Sequence, residues 1–182
     1  ADRIADENLH LVAEVSKSSP YMNEPVSVVY KLYVSPSIVV SNFRPMDNPT
    51  YNNFWSHDIP LTRYNIEEGL YDGKPYRYVI LKRVVLYPQK SGALEIEPLA
   101  LDVSLEVPTD KRDFFGSPIY TKTNKVVSAG KRTIQVKPLP QAGRPDDFSG
   151  AVGDFRFSVT TTKDALNASI DTLKKKAEMI GD

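Results

Sequence analysis

Cysteine is absent from the 182 residues, which removes disulfides, thiolate nucleophiles and cysteine-held zinc together. That absence suits a reducing compartment and a bridge-free export route equally well. There are only two histidines, His10 and His57, and they offer no zinc-ligand spacing. Net charge is missing too: 23 Lys plus Arg balance 23 Asp plus Glu, so no overall field draws in nucleic acid or an anionic membrane. No run approaches the ~20 apolar residues of a membrane helix, and the opening ADRIADENLHL has neither the basic nor the apolar region of a secretion signal.

What remains is 41% apolar and 25% charged, the composition of a folding globular chain. Its length suits one complete domain of ~100–150 residues with an appendage. Ten tyrosines, seven phenylalanines and many valines fall in short alternating runs broken by proline, glycine and asparagine, which predicts antiparallel strands and an all-β fold. LHLVAEVS places Leu9, Leu11, Ala13 and Val15 on one face, and VSVVYKLYV does the same for Val26, Val28, Tyr30, Leu32 and Val34. The SSPYMNEP between them is turn chemistry, with Asn23 suited to a left-handed backbone and Pro25 fixing its own φ.

Residues 35–75 carry five prolines and the sole tryptophan, so edge strands and long connections are expected there, with Trp55 in the core. Tyr76 to Tyr87 reads as a long strand, Pro88 to Gly92 as a turn, and the segment led by Leu94 and Ile96 as the return strand of a hairpin. Leu99 to Val107 alternates cleanly, Pro108 to Asn124 reads as a polar loop bearing Phe114 and Phe115, and KRTIQVKPLP closes the first core. Seven or so short strands predict a two-sheet sandwich of immunoglobulin type over 1–137, although no Cys…Trp…Cys spacing marks an antibody-like domain. A Pro/Gly-rich connector over 138–153 follows, in which Phe148 and Val152 are the residues able to pack and fix its pose.

Residues 154–182 repeat the order of the first two strands weakly: Phe155, Phe157 and Val159 alternate, a turn region spans Leu166 to Ser169, and another strand follows. That predicts the start of a second, incomplete sandwich module. The alternative is an amphipathic helix, because Leu166, Ile170, Leu173, Ala177 and Ile180 also fall at helical spacing.

Three ordered blocks, LVAEVSKSSPYMNEPVSVVYKLYVS, RVVLYPQKSGALEIEPL and VKPLPQAGRPDDFSGAVGDF, resemble BatD, the oxygen-tolerance (aerotolerance) protein family, over about Leu9 to Lys163. The resemblance implies tandem immunoglobulin-like modules on the periplasmic side of the inner membrane, in a membrane-anchored parent protein. It also implies non-enzymatic work as a scaffold beside a MoxR-type ATPase and von Willebrand A-domain proteins. On that pattern the chain is expected to be an internal fragment without its own membrane contact, one whole module and the start of the next. Asn23 stands where the family usually has glycine before Glu-Pro.

Chemistry-bearing residues are few. Ser56, His57 and Asp58 are consecutive, and strand neighbours point to opposite faces, so they cannot converge as a triad. The pairs Glu67 and Glu68, Asp146 and Asp147, and Glu95 and Glu97 read as solvated carboxylates, not an acid–base pair facing across a pocket. Asp146, Asp147 and Asp154 at the module boundary are the one set suited to calcium. SGAVGD lacks the lysine and hydroxyl of a phosphate loop, and LKKKAEM reads as a solvated face, so no cofactor is expected. Phe114 and Phe115, and secondarily Trp55, are the candidate protein anchors. The competing class is a carbohydrate-binding or accessory β-sandwich of a surface hydrolase, with Trp55, Tyr51 and Tyr64 as a platform beside a carboxylate pair.

Overall fold

The computed structural model describes residues 2–141, 143, 152–153, 155–161 and 175–181. The protein is almost entirely antiparallel β. A short helix, α1 (Asp2–Asn8), precedes β1 (Leu9–Val15), which pairs with β2 (Val26–Val34) from Leu9↔Val34 to Val15↔Val28. β2 pairs in turn with β6 (Lys74–Pro88), a strand of 15 residues. The other edge of β6 is shared, with β5 (Ile66–Tyr71) beside its first half and β4 (Phe54–Ile59) beside its second. The facing layer holds β3 (Val39–Pro45), β8 (Ala100–Arg112) and β9 (Pro118–Ser128) in that order, with β7 (Gly92–Ile96) and β10 (Arg132–Val136) as a separate pair.

Alternation explains the core. Leu9, Leu11 and Ala13 of β1 and Val26, Val28, Tyr30 and Leu32 of β2 are buried, the faces the sequence predicts. Leu101, Val103, Leu105 and Val107 of β8 meet them from the other layer, with Ile96 and Ile134 beside them. Each such side chain contributes on the order of 1.5–3 kcal/mol by leaving water. The β3, β4 and β5 strands inside the proline-rich 35–75 region are edge strands, as expected there.

The expected hairpin after Tyr87 does not form. β2 already pairs with Leu86 on one edge of β6 and β4 pairs with Pro88 on the other. The Pro88 carbonyl accepts the Asn23 N–H at 2.8 Å, and the Gln89 N–H donates to Asn53 O at 2.9 Å. With both edges occupied, the chain crosses to the other layer, where β7 pairs with β10. A second correction concerns Pro108 to Asn124: it is no loop but the end of β8, a tight turn and most of β9.

β6 changes parity midway. Tyr30 opposes Lys82 and Lys31 opposes Ile80, leaving Leu81 as a bulge residue. Arg77 and Val79 therefore face the core side before the bulge, opposite Val34 and Leu32, and Val84 and Leu86 take that side after it. The switch puts Tyr76 and Tyr78 on the outer face beside Tyr33 and His10. His10 stacks on Tyr71 at 4.0 Å, and Tyr33 packs between Tyr76 and Tyr78. Gly69 opposes Tyr76 and lies under the Tyr78 ring, where an added Cβ would stand 2.8 Å from ring carbons.

The SSPYMNEP turn adopts the predicted geometry, with Asn23 at φ 61°. Glu24 fastens it by accepting Lys17 Nζ at 2.6 Å and the Tyr21 N–H at 2.7 Å. Burial opposes ionisation of this carboxyl, but these two bonds and the charges of Lys17 and Lys137 together hold its pKa below the ordinary value. The same segment runs parallel to the end of β10, Gln135 and Lys137 donating their N–H groups to Ser18 O and Pro20 O.

Beyond the sandwich, β11 (Phe155–Thr161) pairs antiparallel with β12 (Lys175–Gly181). Residues 175–181 are thus strand, where the sequence left strand and helix open.

Candidate functional site

β3 pairs with β8 only over Leu101 to Glu106, so from Val107 onward β8 and β9 have only each other. They extend as a two-stranded ribbon with Arg112 opposite Pro118 as its last pair. Three β8 residues oppose one β9 residue between Pro108↔Tyr120 and Arg112↔Pro118. Thr109 organises this irregularity, its hydroxyl donating to Ile119 O at 2.6 Å and accepting the Lys111 N–H at 3.3 Å.

The turn is Asp113 to Ser117, and one carboxylate builds it. Asp113 Oδ1 accepts the N–H groups of Phe115 and Ser117, both at 2.9 Å. Asp113 also receives the Gly116 N–H on its carbonyl at 3.1 Å and donates its own N–H to Ser117 O at 2.9 Å. Gly116 holds φ 80°, a value glycine adopts without the Cβ penalty. These bonds leave Phe114 97% and Phe115 88% exposed, with ring centroids 5.6 Å apart and planes at 88°. Ile119 and Tyr120 continue the exposed apolar surface along the ribbon. A turn held this way loses little further backbone freedom on docking, and covering each ring is worth on the order of 1.5–3 kcal/mol.

Trp55 is not the core residue expected. It lies on edge strand β4, 59% exposed, against Tyr87 at 5.1 Å and stacked with His57 at 6.4 Å. The interior neighbour is Phe54, which packs on the core. A one-residue difference in parity decides between them. Ser56, His57 and Asp58 alternate along β4; Asp58 pairs with Lys82 at 3.8 Å and His57 sits under Trp55.

The rings named for a sugar platform are dispersed. The Tyr51 hydroxyl meets that of Tyr30 at 3.2 Å, while the Tyr64 ring packs edge-on against Phe43 at 5.4 Å. Neither makes a ring contact with Trp55. The carboxylate pairs do not converge either: Glu95 bonds Lys131, Glu97 accepts the Thr50 hydroxyl, and Glu67 and Glu68 take opposite faces of β5.

Val152 is half-buried, whereas Phe148, Asp146, Asp147 and Asp154 lie outside the described residues. Among the described residues, no three acidic or histidine side chains group as a metal site, and no helix is long and apolar enough to cross a membrane. What the sequence reading missed is the apolar exposure of Ile66 and Leu70 on β5; their spacing at alternate sides of Glu68 was the available signal. Set against family models, curated proteins and solved structures, the chain matches none.

Proposed function

We propose that this chain is a non-enzymatic protein-interaction module whose anchor is the Phe114–Phe115 hairpin tip. The observation that carries the reading is the presentation of two almost wholly exposed rings on a turn fixed by four hydrogen bonds around Asp113. Large exposed aromatics have no stabilising role where they stand, and such residues dominate binding energy when a partner covers them. In finer terms, the sandwich is an immunoglobulin-like module of a BatD-like aerotolerance protein. It works at the periplasmic side of the inner membrane with von Willebrand A-domain proteins and a MoxR-type ATPase. The three sequence blocks support that assignment, as does the left-handed Asn23 at the family's glycine position.

The test is co-purification of the complete parent protein with its von Willebrand A-domain partners, with and without Phe114→Ala and Phe115→Ala together. Loss of two central anchors is expected to lower recovery by about a hundredfold in affinity, roughly 2–3 kcal/mol. The thermal midpoint should stay put, because the rings pack only on each other. Unchanged recovery would remove the tip as the anchor.

A further inference from the structure

One flank of the sandwich is sealed, where α1 packs on β1 and β9 and Lys125 pairs with Asp6 at 2.6 Å. On the opposite flank β3 borders one layer and β4 with β5 the other, and among the described residues no strand joins them. Edge strands template the pairing of further chains unless something blunts them. β3 is blunted by a bulge at Ser41 and by Pro45 at its end. β4 turns Ser56 and Asp58 to its inner side, opposite Leu86 and Val84.

β5 also turns a carboxylate, Glu68, to its inner side, but no bulge or proline interrupts it. It pairs with β6 in unbroken register from Ile66↔Val79 to Tyr71↔Lys74, contains no proline, and leaves Ile66 73% and Leu70 68% exposed. Ile66, Glu68 and Leu70 share the inner side, because Val79 opposite Ile66 packs on the core. Two recesses open along that side. One of about 440 Å³ is bordered by Ile66, Val39 and Val79 and is mainly apolar. The other, about 600 Å³, is bordered by Glu68, Leu70 and Arg77.

We propose that β5 is the docking edge for an extended segment of a partner protein, which adds as a further strand. The segment carries apolar residues at alternate positions and a lysine or arginine beside Glu68. The free main chain of β5 supplies the hydrogen bonds, and the two recesses receive alternate side chains. Charge selects the basic residue. Both charged residues of β5 are acidic; Glu67 accepts the Tyr78 hydroxyl at 2.7 Å, while among the described residues no cation lies within ion-pair distance of Glu68. An added strand lies one spacing, about 4.8 Å, from Glu68 but two from Arg77, so the carboxylate governs the choice. A second copy of β5 is the poorer occupant, since parallel in-register pairing, or antiparallel pairing centred on the glutamates, sets carboxylates of both copies opposite one another. This surface is separate from the Phe114–Phe115 tip and does not depend on the function proposed for it.

The test is fluorescence anisotropy on the full chain with a short labelled peptide alternating valine and threonine around a central lysine, and with its glutamate counterpart. The lysine peptide is expected to bind about tenfold more tightly, Glu68→Lys to reverse the preference, and Leu70→Lys to abolish binding of both. Because both side chains are exposed, the variants should melt with the parent. Absence of binding by either peptide, equal binding of the two, or a preference unmoved by Glu68→Lys overturns the proposal. So does self-association in sedimentation that Leu70→Lys removes, which would make a second copy the occupant.

Discussion

The hydroxyls of Tyr30 and Tyr51 meet at 3.2 Å in the interior, a polar pair inside an otherwise apolar core. Tyr51→Phe strips the fully buried Tyr30 hydroxyl of its partner and should cost about 1–3 kcal/mol in urea unfolding. The double change to phenylalanine removes both groups and should cost less. Burial pushes both phenols above their ordinary value, and the shared bond lifts Tyr51 further while partly offsetting the effect on Tyr30. A folded-state pKa raised this way contributes stability that is complete below the ordinary 10.0 and is lost as pH rises beyond it. The parent should therefore weaken above that pH more steeply than the double variant, and parallel pH profiles would contradict the assignment. Individual residues were unevenly legible. Asn23 declared its positive φ through chemistry, because few side chains tolerate it. For Trp55 size predicts burial, whereas register on an edge strand decides which of two neighbouring aromatics turns inward.

At the scale of elements, alternation marks β1, β2, β6, β7, β8 and β10, but not their partners, and not β4, β5 or β9. β7 reads as the return limb of a hairpin because Pro88 to Gly92 is good turn chemistry; pairing depended on whether β6 had an edge to spare, which lies in distant β2 and β4. The β8–β9 ribbon was hidden for a related reason: its outer strand is mostly exposed, so the hydrophobic period that marks a strand is missing. The two phenylalanines were nonetheless recognisable as unusual between charged neighbours. The ribbon's turn gives an element-level prediction. Asp113→Ala removes the acceptor of two N–H groups. Hydrogen exchange of Phe115 and Ser117 should accelerate by about tenfold or more, corresponding to roughly 1–2 kcal/mol of local order. Global stability should change little, because the turn stands beyond the last contact with β3. Partner recovery should fall with the order of the turn; full recovery with fast exchange would show that presentation of the rings does not matter.

At the scale of the whole molecule, the two layers differ in extent, and that difference separates what stabilises the fold from what is free to bind. Leu101 lies 1% exposed where the layers overlap, and Leu70 lies 68% exposed where the five-stranded sheet extends past its cover. Both are leucines in strands, Leu101 in a cleanly alternating run and Leu70 in the irregular IEEGLY. Burial was not readable from either stretch alone, since it depends on which part of one sheet the other reaches. Truncation distinguishes them. Leu101→Ala leaves a cavity in the shared core and should cost about 2–5 kcal/mol, whereas Leu70→Ala should fall within about 0.5 kcal/mol of the parent. Urea unfolding followed by tyrosine fluorescence reads both. A large cost at Leu70 would mean that the exposed flank is already covered in solution, and the sheet would then have no free edge at β5 for a partner to join.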